Sequence, residues 1–231
     1  MNLLLIPAYN ESLTIAEVVS AARATGQAVL VIDDGSSDNT ALLARQAGAI
    51  VLSHACNMGL IAAMQTGYAY ALSHGYTCLV QLDGDGQHNP ADVPDLLAPI
   101  LNNSADFVIG SRFLGEGNYA MPKLRRLGRQ VLRGLLCLFG VKITDPSSGF
   151  WAMRSEVAKL FLSSNFPEDY PDADALLLVS RAGFRLQEVG VNMRLNRSGQ
   201  SLHNGLLHPF KYMLCMLLSV LRVATRKGAN P

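Results

Sequence analysis

The 231-residue chain has four cysteines, one tryptophan and only 16% charged residues. The cysteines form no CxxC pair, which excludes the usual zinc sites and favours buried, reduced thiols in a cytosolic protein. No GxGxxG follows the first apolar run, and GxxxxGK[ST] and GxSxG are absent, which argues against hydride transfer, P-loop ATP hydrolysis and serine hydrolysis. Apolar residues make up 49% of the chain, which is ample for a folded core.

Charge is scarce overall but unevenly placed. A net charge of +1 gives no reason to expect a nucleic-acid partner, yet six basic residues and no acidic residue follow Glu188. This tail favours a phosphate group or an anionic membrane surface as a partner, or it is simply solvated. The uncharged stretch from Tyr212 to Leu221 is far shorter than the roughly 20 residues that span a bilayer. A helix over 206–226 would lie in the membrane interface, or pack on the sheet or on a second subunit of a homodimer.

Short apolar runs alternate with helical patterns in the first half of the chain. Strands are predicted at 3–6, 28–32, 49–53, 77–82 and 106–109, and helices at 10–25 (capped by Asn10), 37–47, 60–73 and 92–101. Because the first apolar run stops at Pro7, it reads as a strand rather than a secretory leader. Continuous apolar strands separated by helices predict a parallel sheet that is covered on both faces.

The second half has a different pattern. It predicts a basic amphipathic helix at 122–139, a strand at 148–153, a helix at 173–182 and a strand at 184–193. Polar clusters directly follow four of the predicted strands, at 9–11, 33–37, 83–85 and 110–112. Ligands bind at the carboxyl ends of the strands in parallel α/β sheets, so this pattern predicts a single site there.

The cluster around Asp83 and Asp85 carries the most chemistry. Two carboxylates two residues apart, after an apolar strand, suit a hard cation with oxygen ligands. An EF-hand loop counted from Asp83 would need Gly at His88 and Glu at Pro94, so the calcium-loop interpretation fails. Asp33 and Asp34 can accept hydrogen bonds from a nucleobase or ribose, and Tyr9 offers an aromatic face.

Five motifs together carry a family resemblance. They are Pro7-Ala-Tyr-Asn-Glu11, Asp33-Asp-Gly-Ser-Ser-Asp38, Asp83-Gly-Asp85, Gly110-Ser-Arg112 and Asp145-Pro-Ser-Ser-Gly-Phe150. In this order the chain resembles family 2 glycosyltransferases of the GT-A fold, over about residues 2–200. Within that family it is similar to polyprenyl-phosphate (dolichol-phosphate) mannosyl- and glucosyltransferases.

The resemblance implies an α/β GT-A fold with a mostly parallel central sheet and helices on both faces. Residues 1–205 would form the glycosyltransferase domain, with a nucleotide-sugar and metal half at 1–111 and an acceptor half at 112–205. Residues 206–231 would form a basic amphipathic C-terminal helix. The implied enzyme is an inverting hexosyltransferase that uses Mg²⁺ or Mn²⁺ and moves mannose or glucose from a nucleoside diphosphate to a polyprenyl phosphate. It would be cytoplasmic, at the inner face of the membrane, as a peripheral protein.

The resemblance also assigns roles to individual residues. The nucleotide-sugar would contact Pro7, Tyr9, Glu11, Asp33, Asp34, Gly35, Ser36, Asp83 and Gly84. The metal ion would be held by Asp85 and Gln87, and the acceptor phosphate by Arg112, Arg125 and Arg129. The catalytic set would be Asp83, Asp85, Arg112 and Asp174.

Three alternatives stay open at this stage. A glycan hydroxyl acceptor needs a general base, and Asp174 is either that base or a carboxylate favoured at a helix start. Asp145 either orients an arginine or the acceptor, or forms a turn with Pro146. The other classes considered are a sugar-nucleotide nucleotidyltransferase and a non-catalytic binding subunit.

Overall fold

The computed structural model describes residues 1–114, 123–163, 172–193 and 208–225, without the side chains of 123–125 and 208–213. The strands are β1 Asn2–Ala8, β2 Ala28–Asp33, β3 Ile50–Ser53, β4 Cys78–Gln81, β5 Phe107–Ser111, β6 Trp151–Arg154 and β7 Leu186–Gly190. The α-helices are α1 Ile15–Arg23, α2 Thr40–Gln46, α3 Leu60–Ser73, α4 Val93–Leu101, α5 Lys123–Leu138, α6 Ser155–Phe161, α7 Ala173–Arg181 and α8 His208–Thr225. A short 3₁₀ turn, Pro90–Asp92, precedes α4.

The seven strands form one sheet in the order β3-β2-β1-β4-β6-β5-β7. All neighbouring strands are parallel except β6, which runs antiparallel to both β4 and β5. The expected mostly parallel sheet is therefore confirmed, with one inserted antiparallel strand. Because an antiparallel strand begins at the edge where its parallel neighbours end, the residues before Trp151 lie at the carboxyl edge of the sheet.

Two hydrophobic cores lie on opposite faces of the sheet. One core joins α1, α2 and α4 to one face, through residues such as Val19 and Leu96. The other joins α3, α5, α6, α7 and α8 to the opposite face, through residues such as Tyr68, Leu136 and Val220. Strands buried on both faces explain the continuous apolar runs of the sequence, and the predicted helix layers on both faces are confirmed.

Several local expectations differ from the structure. Asn10 does not cap α1, which begins at Ile15: Asn10 has a positive φ of 56°, and its side chain accepts from the Ser37 amide at 2.9 Å. The helix α6 was not predicted, because it is a short segment directly after β6. The cysteines were expected to be buried, but Cys56 and Cys137 are exposed.

The C-terminal helix α8 packs on α7 and contacts α5, and its inner side contributes Met216, Val220 and Val223 to the core. No helix within the described ranges is both long enough and apolar enough to cross a membrane. The division of the chain at residue 205 stays a prediction.

Candidate active site

The loops after β1, β2 and β4 meet at the carboxyl edge of the sheet. The Asn10 amide donates to Ser36 Oγ at 2.9 Å, and the Glu11 amide donates to Thr40 Oγ1 at 2.8 Å, which joins the β1 and β2 loops. Thr14 Oγ1 donates to the Gly84 carbonyl at 2.7 Å, which joins the β1 and β4 loops. The predicted gathering of these motifs at one edge is therefore confirmed.

Gly35 and Gly84 allow these loops to approach closely. Gly35 has a φ of 70°, and a Cβ there would lie 2.4 Å from the Cys56 carbonyl carbon. A Cβ on Gly84 would lie 3.2 Å from the Pro7 carbonyl oxygen. Any larger residue at Gly35 would separate the β2 and β3 loops, so this glycine shapes the site through the backbone.

Asp34 holds the chain that follows β3. It is almost fully buried, and its carboxylate accepts from the amides of Met58 at 2.9 Å and Gly59 at 2.8 Å. His54 Nδ1 lies 2.7 Å from Asp34 Oδ1, and His54 Nε2 lies 2.9 Å from Thr66 Oγ1. Asp34 therefore fixes the backbone that follows β3 through these protein contacts, and its predicted contact with the nucleoside stays a prediction.

The remaining residues predicted to bind the nucleoside lie around this edge. Tyr9 is exposed, as an aromatic face for a base would be. Asp33 is buried and accepts from the Ser36 amide at 3.3 Å. Asp33 therefore orders the β2 loop from within, while Tyr9 is open to an incoming ligand.

Asp83 follows β4 and is aligned by His88. The Asp83 amide donates to His88 Nδ1 at 3.0 Å, and His88 Nε2 lies 3.6 Å from Asp83 Oδ2. His88 is buried and stacks on Phe150 at 4.7 Å between ring centroids. Because Nδ1 accepts, a neutral ring carries its proton on Nε2, toward the Asp83 carboxylate. His88 therefore supports the loop after β4 that contains Asp83 and Asp85, called here the acidic loop.

Negative charge accumulates around Glu11. Burial raises the pKa of Glu11, and the charges of Asp85, Asp83 and Asp38 raise it further, against the effect of the Thr14 hydroxyl. The Asp83 side chain keeps 41% of its surface accessible, yet the surrounding protein desolvates it and raises its pKa, with His88 and Arg112 opposing the rise. Such a cluster attracts a cation.

Asp85 and Gln87 lie in direct contact. The Gln87 backbone amide donates to Asp85 Oδ1 at 2.9 Å, and the Gln87 side-chain nitrogen Nε2 donates to Asp85 Oδ2. Among the described residues, no three acidic, histidine or cysteine side chains converge as metal ligands. Asp85 carries a carboxylate and Gln87 a side-chain amide oxygen, which is the donor chemistry that Mg²⁺ and Mn²⁺ take, so the residues fit such an ion once the Gln87 side-chain amide turns its oxygen toward Asp85.

The antiparallel strand β6 brings the Asp145–Phe150 segment to this edge. Trp151 pairs with Gln81 of β4 on one side and with Ile109 of β5 on the other. A Cβ on Gly149 would lie 3.9 Å from Asp83 Oδ2, so Gly149 lies beside the acidic loop. The second half of the chain thus closes the site from the β5 side.

Arg112 is fixed by a buried carboxylate. Its Nε donates to Asp145 Oδ2 and its Nη2 to Oδ1, both at 2.7 Å, while its backbone amide donates to Oδ2 at 3.0 Å. Arg112 Nη2 also donates to the carbonyl and hydroxyl oxygens of Ser147. The expectation that Asp145 orients an arginine is confirmed, and Arg112 acts on Asp83 through its charge.

Glu188 on β7 binds the segment that contains Thr144 and Asp145. Its carboxylate accepts from the Thr144 amide at 2.7 Å, the Asp145 amide at 2.9 Å and the Thr144 hydroxyl at 2.9 Å. Glu188 thereby positions Asp145, which positions Arg112. This role could not be predicted from the sequence, because Glu188 lies 43 residues from Asp145 and no local motif marks it.

Arg129 lies on α5 next to this network. Its guanidinium stacks over the Phe113 ring at 3.8 Å, and Nη1 donates to the Thr144 carbonyl at 2.9 Å. Its Nε is buried and has no hydrogen-bond partner among the described residues. Burial lowers its pKa, as do Arg133, Arg126 and Arg112, while Asp145 opposes this. The side chain of Arg125 lies outside the described residues.

Asp174 lies in the first turn of α7 and is buried. It accepts from the amides of Asp172 at 3.0 Å and Ala175 at 2.8 Å, and from the Ser219 hydroxyl of α8. Burial raises its pKa, against the effect of these donors. The hydrogen bond from Ser219 joins α7 to α8, the other two are local to the start of α7, and the role of Asp174 as a base stays a prediction.

Comparison with known proteins identifies the family. The model of glycosyl transferase family 2 matches residues 4–161, which contain the loops after β1, β2 and β4 and the Arg112–Asp145 pair. The protein is a family 2 glycosyltransferase. Family membership decides against the nucleotidyltransferase alternative.

Two curated relatives match this glycosyltransferase over most of their length. A polyprenol monophosphomannose synthase of Mycolicibacterium smegmatis is 32% identical over 216 residues, which cover 88% of this chain and 81% of that protein. A UDP-N-acetylglucosamine–dolichyl-phosphate N-acetylglucosaminyltransferase of Methanococcus voltae is 27% identical, over 93% of this chain and 94% of the relative.

Solved structures agree on the fold. Glucosyl-3-phosphoglycerate synthase of Mycobacterium tuberculosis, crystallised with Mn²⁺, UDP and glucosyl-3-phosphoglycerate, superposes with a TM-score of 0.72 at 22% identity. The superposition covers 99% of this chain and 81% of that one. The GT-A fold expected from the motifs is confirmed.

Proposed function

We propose that this glycosyltransferase moves a hexose of the mannose or glucose type, with inversion, from a nucleoside diphosphate to a polyprenyl phosphate. The names of two relatives, which include polyprenol and dolichyl-phosphate acceptors, support the lipid phosphate. Those relatives differ in the sugar transferred, so the choice of base and sugar rests on residues inside the donor pocket. The enzyme would work at the cytoplasmic surface of the membrane, as a peripheral protein.

The observation that carries the proposal is the arginine cluster beside the acidic loop. Arg129 holds a buried Nε without a hydrogen-bond partner among the described residues, next to the fixed charge of Arg112. A phosphate bound by these guanidinium groups would offset the mutual repulsion of the arginines, and one of its oxygens would satisfy the buried nitrogen once the Arg129 side chain turns toward the ligand. A neutral glycan hydroxyl would supply no such charge.

The metal and donor half is consistent with this reaction. A divalent ion held by Asp85 and Gln87 would offset the negative charge that develops on the leaving diphosphate. The cluster of Glu11, Asp83 and Asp85 is unfavourable on its own, and a cation relieves it. The structure of similar fold was crystallised with Mn²⁺ and UDP, which supports the use of a divalent ion together with a nucleoside diphosphate.

Other residues of the chain would position the donor and the acceptor. His88 aligns Asp83 beneath the donor, and Arg112 and Arg129 hold the acceptor phosphate opposite the leaving group. A lipid phosphate is already an anion, so its oxygen attacks without a general base to remove a proton. Positioning and charge compensation are then the main contributions of the protein.

A transfer assay tests this function. Purified protein with Mn²⁺ or Mg²⁺ receives labelled GDP-mannose, UDP-glucose or UDP-N-acetylglucosamine in turn, with and without a short-chain polyprenyl phosphate. We expect lipid-dependent label with one donor. Arg129→Gln should lower kcat/KM for the acceptor by roughly 10- to 100-fold, which is the cost of losing charged hydrogen bonds. The matched control Arg23→Gln changes an exposed arginine in the last turn of α1, at the opposite edge of the sheet from the site, and should leave the rate unchanged.

Label that requires no lipid phosphate would contradict the proposal. Equal losses in Arg129→Gln and Arg23→Gln would contradict the role given to Arg129. Arg129→Lys should lie between wild type and Arg129→Gln, because lysine keeps the charge but loses the planar fork that stacks on Phe113.

A second candidate is transfer to a glycan hydroxyl with Asp174 as the base. Its support is the raised pKa of the buried Asp174, which suits a group that accepts a proton. Asp174→Asn should then lower kcat with donor binding unchanged, and a Ser219→Ala control should leave kcat intact. If both variants only lower the melting temperature, Asp174 joins α7 to α8 and is no base.

A further inference from the structure

Asp34 lies where the ends of β1 and β2 meet. Its backbone amide donates to the Ala8 carbonyl at 2.8 Å, and Ala8 directly precedes Tyr9, the exposed aromatic residue of the β1 loop. The Asp34 side chain keeps 5% of its surface accessible. A donor base that stacks on Tyr9 would therefore lie next to this carboxylate, which has only a small surface to offer it.

Three donors of the protein already bind the Asp34 carboxylate. Oδ1 accepts from His54 Nδ1 at 2.7 Å and from the Met58 amide at 2.9 Å, while Oδ2 accepts from the Gly59 amide at 2.8 Å. Each carboxylate oxygen offers about two lone pairs to hydrogen-bond donors. With the donors of the described residues in place, Oδ1 is therefore saturated and Oδ2 keeps one acceptor position.

His54 is held in the orientation that donates to Asp34. Because a carboxylate has no proton to give, His54 Nδ1 carries the proton of this contact. His54 Nε2 lies 2.9 Å from Thr66 Oγ1 on α3, and a neutral ring accepts from that hydroxyl. The ring is thus fixed at both nitrogens, and it occupies a position on Oδ1 that a ligand would otherwise use.

Nucleobases differ in the number of adjacent donors that they present to a carboxylate. Guanine presents two on its Watson–Crick edge, N1–H and N2–H, which together pair with both oxygens of one carboxylate, whereas uracil presents only N3–H. A guanine at Asp34 would pair with Oδ2 alone, and its second N–H would face a saturated oxygen. A buried donor left unpaired weakens binding roughly 5- to 150-fold.

We propose that Asp34, with His54 as its positioning residue, selects a uridine diphosphate sugar over a guanosine diphosphate sugar as the donor. The uracil N3–H takes the remaining position on Oδ2. His54 acts through Asp34, by keeping Oδ1 filled. The inference rests on the proposed function, because it takes Asp34 as a contact of the donor base, and it adds the class of base to that function.

Binding of UDP and GDP tests this selection without a sugar, an acceptor or turnover. Isothermal titration calorimetry of the full chain with Mg²⁺ gives both dissociation constants. We expect the wild type to bind UDP at least about tenfold more tightly than GDP. Equal affinities, tighter binding of GDP or no binding of either nucleotide would overturn the proposal.

Substitution of His54 tests its part in the selection. His54→Leu frees one position on Oδ1, so it should lower the preference for UDP at least about fivefold, chiefly through tighter binding of GDP. His54→Gln keeps a side-chain N–H donor and should keep most of the preference. The matched control His74→Leu removes an exposed histidine at the C-terminal end of α3 and should keep the wild-type ratio.

Thermal melts confirm that every variant is folded. An equal loss of UDP and GDP affinity in His54→Leu would show that His54 only holds the chain after β3, and this result would overturn its role in selection. A fall in the preference for UDP that His54→Gln shares in full would contradict the role of the donated hydrogen bond.

The transfer assay separates this inference from the proposed function. Lipid-dependent transfer from GDP-mannose, but not from a UDP-sugar, would overturn the selection by Asp34 and support the lipid acceptor. Preference for UDP without transfer to polyprenyl phosphate from any donor would support the selection and contradict the proposed acceptor.

Discussion

Asp145 and Arg112 offer a test of whether a buried ion pair organises the acceptor side of the site. The Asp145 side chain is fully buried, while that of Arg112 is 11% exposed. Asp145→Asn would leave the guanidinium without its counter-charge in a poorly solvated place. Breaking a buried pair by removing one partner costs about 3–5 kcal/mol. We expect the lower end, because Ser147 still accepts from Arg112 and the asparagine oxygen still accepts one bond.

The expected cost converts into a measurable shift. A loss of about 3 kcal/mol lowers the melting temperature of a domain of this size by roughly 6–12 °C. Arg112→Met with Asp145→Asn removes the stranded charge, so the double variant should be more stable than Asp145→Asn alone. The coupling between the two substitutions should be about 2 kcal/mol, within the range seen for residues in contact.

Thermal and urea unfolding of the wild type, both single variants and the double variant measure this coupling. The transfer assay on the same four proteins separates structure from function. Stability should recover in the double variant while transfer to polyprenyl phosphate stays low, because the positive charge is gone. Additive losses of stability, or a change in melting temperature below about 2 °C for Asp145→Asn, would refute the reasoning.

Three further predictions concern the acidic loop and a surface ion pair. His88→Phe keeps a ring against Phe150 but leaves the Asp83 backbone amide without an acceptor, so it should lower the free energy of unfolding by about 1–3 kcal/mol and should lower kcat. His88→Asn should restore part of the stability and part of kcat. Equal behaviour of the two variants in unfolding and turnover assays would count against the contact. Burial raises the pKa of Asp83, so the stability linked to its protonated form is lost as pH rises through that pKa. In metal-free buffer at neutral pH, Asp83→Asn should therefore raise the melting temperature while abolishing transfer. A lower melting temperature would contradict this. Hydrogen bonds from Arg185 lower the pKa of Asp106 to about 2, so the stability that this carboxylate contributes is present above pH 3.8 and is lost as pH falls toward 2. Asp106→Asn should lower the melting temperature at neutral pH and have little effect near pH 2. An equal loss at both pH values would show another cause.

The secondary structure could be read from the sequence where a single pattern dominates. Residues 93–101 form α4 within the predicted helix at 92–101, and residues 28–32 lie within β2, because amphipathic helices and buried strands differ in their apolar period. The start of α1 could not be read in this way. Asn10 has the chemistry of a cap, but contacts with Ser36 and Ser37 from another loop draw it away from the helix.

The residues predicted to bind the donor and the metal could be proposed from local motifs because they follow strands closely in the chain. Glu11, Asp34 and Asp83 lie at the carboxyl edge as the order of strands and helices requires. The roles of His54 and Glu188 could not be proposed, because their partners are brought together only by folding. Glu188 contacts Thr144, which is 44 residues away.

The sequence alone determined the family, the strand and helix pattern and the acidic loops, because these depend on local spacing and on residues at strand ends. Only the tertiary structure decided which charges meet. The antiparallel entry of β6 carries Phe150 to His88 and brings Asp145 to Arg112, 33 residues away in the chain. The packing of α8 on α7 likewise gives Asp174 the Ser219 hydroxyl as a partner. Such pairings depend on strand direction and helix packing, which no local period of the sequence encodes.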